Sequence, residues 1–393
     1  MILEITVTHK TPSNTIRSAA IVVAAGLSSR MGAFKPLLTI DGIPLIAHVV
    51  NRLISAAVDH IVVVAGYQAD TIIKTFEGNI KVSVVINPDY DRTHMFDSIK
   101  IGVSKLMEIQ PDQTGHFFLV PGDIPLFNPR TLVELKSSWE REQHCLICKP
   151  IYRQKSGHPI LISNWIRSEL LSDTGSQGLK GFIESKISEQ RRFDPAGRLM
   201  VEVAVPDPGI LLDADTPADY VQLCAYSNKK ETPDLFQCYS LLRFYQTPRA
   251  VIKHCKATTR QAIQIAQSLS HSKALQSVRI DVVRAAALLH DIAKAGQQHA
   301  HVGAEWLREW GINQIADIVE VHMDLPEQEI PTIDEASIVY LADKRTLGER
   351  TVELGWRLKN MEKQADLSVA ALSAARRKIQ QAELIEQAII GTT

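Results

Sequence analysis

Two sets of residues in this chain have the types and spacing to do chemistry. The first lies in Ile21 to Pro36, where an apolar run breaks into a loop carrying Gly26, Ser28, Ser29, Arg30, Gly32 and Lys35. A buried strand feeding a basic, glycine-bearing loop is how α/β folds hold phosphate. Gly26 and Gly32 let backbone N–H groups approach an anion, and Arg30 and Lys35 bring positive charge to where a triphosphate lies. The second set centres on Leu288-Leu289-His290-Asp291-Ile292-Ala293-Lys294, a His-Asp pair inside the apolar helical pattern Val282 to Lys294. Burying that pair is costly unless something compensates, and a metal does so. His254, His299, His301, His322 and Asp343 follow the same apolar helical patterning. Such N and O donors on successive helices fit a divalent transition-metal site.

The elements that must position these residues differ between the two halves. Strand patterns at Ile21–Ala24, His60–Gly66, Val82–Ile86, Phe117–Val120 and Cys145–Lys149 alternate with helical patterns at Pro44–Ala57, Ala69–Phe76, Met95–Met107 and Leu132–Glu142. That order predicts an α/β, doubly wound, mainly parallel sheet, with Gly26, Gly66, Asn87 and Asp123 at the carboxyl ends of strands. Thr216 and Pro217 read as the N-cap and first residue of a helix, so Asp213 and Asp215 sit just before it. A polar segment, Ser227 to Pro233, then leads into a half with helical periods only, ending in a long helix over Ala365–Ile390. The predicted domains are 18–228 and 233–393. An alternating Ile2–Thr8 reads as an extra strand before the fold proper.

Bulk properties narrow the function classes. The 393 residues are long enough for two or three domains, and a net charge of −1 implies neither a nucleic-acid nor a membrane partner. No apolar run reaches the roughly 18 residues that span a bilayer, and Met1–Lys10 is too short and polar for a signal peptide. Five scattered cysteines fit a reducing, cytoplasmic setting, with Cys145 and Cys148 as core residues.

The ordered motifs Ala24-Ala25-Gly26-x-Ser28-x-Arg30-Met31-Gly32-x-x-Lys35, Pro121-Gly122-Asp123-x-Pro125, Gly157-His158-Pro159 and Asp213-x-Asp215-Thr216-Pro217 resemble the nucleotidyltransferases of molybdenum cofactor maturation. Within that family, Ala-Ala-Gly is like the cytidylyltransferases. The resemblance implies a Rossmann-like MobA-type domain that joins CMP from CTP to the phosphate of molybdopterin and releases pyrophosphate. By the same resemblance Asp123, with Asp215 or Asp213, holds Mg²⁺, while Lys35 and Arg30 stabilise charge on the α- and β-phosphates. Ala24, Ala25, Gly26, Ser28 and Gly32 form the nucleotide loop, with Gly66 and Asn87 near the base and Ser98 at base or ribose. His158 faces the acceptor, with a purely structural turn as its alternative reading. Thr93-His94-Met95 departs from the family's Gly-Met pair, and Thr174-Gly175-Ser176-Gln177 lacks an arginine that often follows the glycine. Both departures bear on the acceptor.

The second set is similar to the HD phosphohydrolases of the His-Asp-Ile-Gly subgroup over about residues 245–350, with Ala293 in place of the glycine. The resemblance implies an all-α HD domain in which His254, His290, Asp291 and Asp343 hold one metal. His299 and His322 complete a second with Asp291 bridging, and His301 ranks behind His299. The metal is a divalent transition ion such as Mn²⁺, Fe²⁺ or Co²⁺, and Lys294 contacts substrate phosphate. The expected protein is a bifunctional enzyme whose substrates are CTP and molybdopterin, with a molybdoenzyme or its maturation chaperone as a further partner. The alternatives are a nucleotidyltransferase with another NTP or acceptor (a sugar phosphate or another pterin), or a non-catalytic cofactor-binding chaperone.

Overall fold

The computed structural model describes residues 18–392, apart from 29–30, 112–114, 143–144, 176, 193–196, 270–277, 295, 297, 327–331 and 364–367. The predicted strand Ile2–Thr8 and Arg30 therefore lie outside the described residues. Two compact units divide the chain. The first ends at Cys224, and the second comprises Val205–Asp207 and Ala225 onward.

The first unit is built on one sheet. β1 (Ala19–Ala24) is followed by a short ribbon of β2 (Thr39–Ile40) and β3 (Ile43–Pro44), then α1 (Leu45–Ser55), β4 (His60–Ala65), α2 (Ala69–Thr75), β5 (Val82–Ile86), α3 (Met95–Ile109), β6 (His116–Pro121) and α4 (Pro129–Arg141). β7 (Ile147–Tyr152), β8 (Lys155–Ser156), β9 (Ile160–Ser163), α5 (Arg167–Ser172), α6 (Gly178–Gln190), β10 (Met200–Ala204) and the part of α7 (Pro217–Lys229) up to Cys224 complete it. The strand order is β10-β7-β9-β6-β1-β4-β5, with β8 paired to β7. β1 is parallel to both β4 and β6, and β9 runs antiparallel between β6 and β7. Ile21, Val22, Val62 and Val63 are wholly buried, because helices cover both faces. Ile21, Val62 and Val64 pack with Phe96, Ile99 and Val103 of α3 in one core. β9, α6 and β10 escaped the sequence pattern. β9 is only four residues and fully buried, so it shows no alternation, and α6 has a weakly segregated apolar face.

The second unit is helical: α8 (Leu235–Phe244), α9 (Arg249–Leu269), α10 (Ile280–Leu289), α11 (His299–Glu309), α12 (Asn313–Val321), α13 (Glu335–Lys344), α14 (Leu354–Glu362) and α15 (Val369–Thr392). A two-stranded ribbon, β11 (Thr346–Leu347) with β12 (Arg350–Thr351), interrupts it after α13, where helical periods alone were predicted. Ser227 to Lys229 belong to α7 rather than to a linker, and Asp234 caps α8 by accepting from the Gln237 N–H at 2.7 Å. α9, α10 and α13 pack together around wholly buried Ala286, Ala287 and Leu289. α10 ends at Leu289, so His290 and Asp291 lie at its C-terminus and not within it. There the Ala287 carbonyl accepts from the His290 ring at 2.8 Å, a bond open only where the helical ladder stops. Among the described residues, no helix is long and apolar enough to cross a membrane.

One buried titratable group belongs to the fold rather than to either site. His116 opens β6 against Phe118 and Trp139, and neither ring nitrogen has a hydrogen-bond partner. Burial, helped by Lys136, pushes it down to about 4. The unfolded chain therefore binds this proton first as pH falls. The neutral ring's contribution is complete above about pH 6.5 and is lost on the way to pH 4, at up to about 1.4 kcal/mol per pH unit. Urea unfolding across that range should show a shallower pH slope in His116→Phe than in the natural chain, and an equal slope contradicts the assignment.

Candidate functional site

In the first unit the carboxyl ends of β1, β4, β5 and β6 lie side by side, since Val23 registers with both Val64 and Pro121. A cleft of about 280 Å³ opens there. Ala24, Ala25, Gly26, Ser28, Lys35, Ser98, Asp123 and Asp215 are among the residues lining it. The loop after β1 closes on itself: the Ser28 carbonyl accepts from the Met31 N–H at 3.0 Å and the Ser28 hydroxyl from the Lys35 N–H at 3.2 Å. Asp213 and Asp215 precede α7. Its start is fixed by the Asp219 carboxylate, which accepts from the Thr216 N–H at 2.8 Å and the Thr216 hydroxyl at 2.7 Å.

Lys35 Nζ is the electrostatic hub of the cleft. It donates to Asp123 Oδ2 at 3.2 Å and to Asp215 Oδ1 at still shorter range. Burial opposes its charge, but Asp215 and Asp123 outweigh burial and hold the ammonium above its ordinary range. Asp213 is pushed up by burial and then by the like charges of Asp215 and Asp123. Three carboxylates thus gather at one point of the cleft, and a hard divalent cation bound mainly by oxygen suits that donor set.

Other predicted residues fall just behind the cleft. Asn87 is buried and donates to Ser98 Oγ and Thr93 Oγ1, both at 3.0 Å, so it holds two lining side chains in place. Gly66 is required by close approach, since a Cβ there would lie 2.6 Å from the Ala25 carbonyl oxygen. Gly32 takes a left-handed φ of +71° without lining the cleft. His158 lines a neighbouring cavity; its Nδ1 has no partner, and burial holds the ring below its ordinary range. Tyr90 and Pro36 also line the cleft. Neither was singled out in the sequence, although Tyr90 lies in the Asn87-Pro88-Asp89-Tyr90 turn after β5.

In the second unit six predicted ligands converge from different helices. Asp291 divides them between its two oxygens. Oδ2 lies 3.4 Å from His290 Nε2 and 3.7 Å from His254 Nε2, whereas Oδ1 lies 3.2 Å from His299 Nε2 and 3.5 Å from His322 Nε2. Asp343 Oδ1 completes the first group, 3.0 Å from His254 Nε2 and 3.6 Å from His290 Nε2. Donor atoms around one transition ion sit at such mutual separations, roughly 3 Å. Carbonyl oxygens of Gly348, Ala287 and Val319 meet the Nδ1 atoms of His254, His290 and His322. A carbonyl only accepts, so each Nδ1 carries the proton and leaves Nε2 toward the centre, as in imidazoles whose far nitrogen is anchored so that the near one can bind a metal. His290, His322 and Asp343 all sit at helix C-termini, whose partial negative charge favours a cation.

The buried atoms fit a metal. Nε2 of His290, His299 and His322, and Oδ1 of Asp291, have no hydrogen-bond partner despite these short approaches. Burial opposes ionisation of Asp291, yet His290 and its neighbours hold it well below the usual carboxylate range. Asp343 is held low in the same way by Lys344, His254 and His290. His301 turns outward to Glu320 and Glu305. Lys294 pairs with Asp291, and Lys344, not anticipated, donates to Asp343 Oδ2 at 2.8 Å.

Residues 20–192 match the family model of the MobA-like NTP transferase domain, and residues 251–347 that of the HD domain. The chain carries a MobA-like NTP transferase domain followed by an HD domain. It is a homologue of the molybdenum cofactor cytidylyltransferase of Escherichia coli, 27% identical over 202 residues that cover 51% of this chain and 92% of that one. A 2-aminoethylphosphonate cytidylyltransferase of Lancefieldella rimae is 34% identical over 30% of this chain and 50% of its own length. A probable molybdenum cofactor guanylyltransferase of Thermococcus sibiricus is 30% identical over 36% and 65%, respectively. The match thus spans half to about two thirds of those last two relatives. The HD domain implies divalent metal binding, and nucleotidyltransferases use Mg²⁺.

The two oxygens of Asp291 face different histidines, and this geometry predicts two ions. Metal analysis after dialysis against Mn²⁺ should find two ions per HD domain in the natural chain, about one in His299→Ala and well below one in Asp291→Ala. Full occupancy in Asp291→Ala contradicts the bridging geometry.

Proposed function

We propose that the transferase domain moves CMP from CTP to the phosphate of molybdopterin, releasing pyrophosphate, and that the HD domain is a divalent-metal-dependent phosphohydrolase. The observation that carries the first half is a second cavity, about 420 Å³, beside the nucleotide cleft. The two share Val23, His94, Met95 and Pro121. Phe96, Ile99, Leu119, Ile147 and Ile160 give the second cavity apolar walls, and Lys149 and His158 stand among them. This suits a flat heterocyclic acceptor that presents its phosphate to the cleft. A sugar phosphate or short phosphonate would leave these walls against water or hydroxyls. Thr93, His94 and Met95, where the sequence departs from the family pattern, lie where nucleotide and acceptor would meet. The E. coli relative's activity and Ala25 in the nucleotide loop support CTP as donor.

The residues present account for the chemistry. An acceptor phosphate is already anionic, so no general base is needed, and catalysis is positioning plus charge neutralisation. An acceptor oxygen forms a bond to the α-phosphorus of CTP while the α–β bridging P–O bond breaks, and pyrophosphate leaves with that electron pair. Lys35 transfers its charge from the carboxylates to the α- and β-phosphates, while Asp123 and Asp215 are the residues that would hold Mg²⁺. That ion, when bound, supplies charge neutralisation across the triphosphate. The loop N–H groups after β1 orient the nucleotide, and Asn87 keeps Ser98 aimed into the cleft. In the HD domain His254, His290, His299, His322, Asp291 and Asp343 would hold the metals, which supply activation of water for attack on phosphorus. The natural recipient of the first product is then a molybdoenzyme or its maturation chaperone.

Pyrophosphate release by the full chain with Mg²⁺, each NTP in turn and either molybdopterin or a sugar phosphate tests the transferase. CTP with molybdopterin should give release, and Asp123→Asn and Lys35→Ala should each lower its rate by about 100-fold or more. Release with a sugar phosphate alone overturns the acceptor, and full activity in Asp123→Asn overturns the site.

A further inference from the structure

We infer that side chains of α14 and α15, beyond the HD match, wall a substrate cavity that selects phosphate esters of a bulky apolar group at the metal cluster. The inference rests on the phosphohydrolase reading of that cluster and adds the class of substrate. A cavity of about 560 Å³ opens directly onto the ligands, with His254 and Asp343 among its lining residues. A volume of this size suits an organic molecule and far exceeds a phosphate group alone.

Between its charged residues the lining carries an apolar surface. Met323 and Leu347 stand on one part of the lining, Met361 comes from α14, and Ala374, Ala375 and Ile379 come from α15. Small side chains on α15 leave room where larger ones would close the space. Hydroxyl-rich esters would bury polar groups against methionine and alanine without partners, at a cost an apolar group avoids.

The charged part of the lining is cationic apart from Asp343. Lys294, Lys344, Arg357 and Lys378 all border the cavity. Arg357 Nη1 donates to the carbonyls of Asp343 and Lys344 at 2.8 Å and of Thr346 at 2.9 Å, pinning α14 to the end of the helix that carries Asp343. Tyr340 donates to the Lys378 carbonyl at 3.0 Å, and Lys378 Nζ reaches the Asp324 carboxylate at 2.9 Å, which ties α15 to the same frame. The apolar wall is therefore held at a fixed place relative to the metal ligands. The combination fits one ligand form: a phosphate at the His254–Asp343 end and an apolar group against α14 and α15. Hydrolysis there adds one water: its oxygen bonds to phosphorus, the ester P–O bond breaks, and a proton ends on the departing alcohol.

The test compares 2-(1-naphthyl)ethyl phosphate with methyl phosphate, whose leaving alcohols are of similar basicity, using the Mn²⁺-loaded full chain. The ratio of kcat/KM for the two esters should favour naphthyl by at least about 30-fold. Ala374→Glu, and independently the more exposed Leu347→Glu, should reduce that ratio to within a few-fold of one. Calorimetric titration of the full chain in EDTA gives a second readout. 1-Naphthylphosphonate should bind where methylphosphonate does not, and both variants should lose that binding. Hydrolysis of both esters at a ratio near one, or an unchanged ratio in both variants, overturns the inference while leaving the phosphohydrolase standing. Naphthylphosphonate binding that the variants abolish, without hydrolysis of any ester, sinks the phosphohydrolase and keeps the ligand class. Absence of naphthylphosphonate binding to the natural chain overturns the ligand class.

Discussion

Carboxylates crowded together, partly exposed in the transferase cleft and buried in the HD cluster, are the constraint on which both units depend. Two or more acids crowded together all stay ionised only when cations stand among them; otherwise one takes up a proton. In the transferase domain Asp123, Asp213 and Asp215 meet at strand and helix ends, and Lys35 is drawn between two of them. In the HD domain Asp291 and Asp343 sit among four imidazoles and two lysines. The burial that makes these acids costly also makes a bound cation effective. In the buried HD cluster little water is left to screen that charge, so the field reaches a phosphate more strongly than it would in solvent.

The two folds reach the same electrostatic end by different means. In the α/β unit, parallel register brings the ends of β1, β4 and β6 into line, so loops remote in sequence meet at one edge. In the helical unit, α10, α12 and α13 deliver ligands at their C-termini, where carbonyls of the last turn orient the rings and the helix ends favour positive charge. A helix that ran on through His290 would lose its ring's bond to Ala287. The end of α10 at Leu289 is therefore part of the site.

Much of this was legible in the sequence, because phosphate loops and metal ligands are local or come in a recognisable order. The strand–loop from Ile21 to Lys35, the Asp213-x-Asp215 pair before a helix, and the His290-Asp291 pair all announce themselves by residue type and spacing. What stayed hidden is what only packing decides. β9 is a short, wholly buried antiparallel insertion, and no period reveals its direction. Asn87 reads as a turn residue after a strand, and only its contacts show it holding Ser98 and Thr93. The division of Asp291 between two groups of histidines is expected from the family resemblance, and the oxygen positions that make it are what spacing does not encode. The apolar walls on α14 and α15 look like ordinary amphipathic helices until the cavity they border is seen.

The central claim is that these acid clusters are cation sites serving phosphates, and anomalous scattering addresses it directly. Crystals of the full chain grown with Mn²⁺ and a non-hydrolysable CTP analogue should show a manganese peak between Asp123 and Asp215, with Lys35 moved onto the triphosphate. Two further peaks should flank Asp291. Bound nucleotide with no peak at the Asp123–Asp215 pair and Lys35 still held between the carboxylates, or an HD cluster without manganese, would contradict the account.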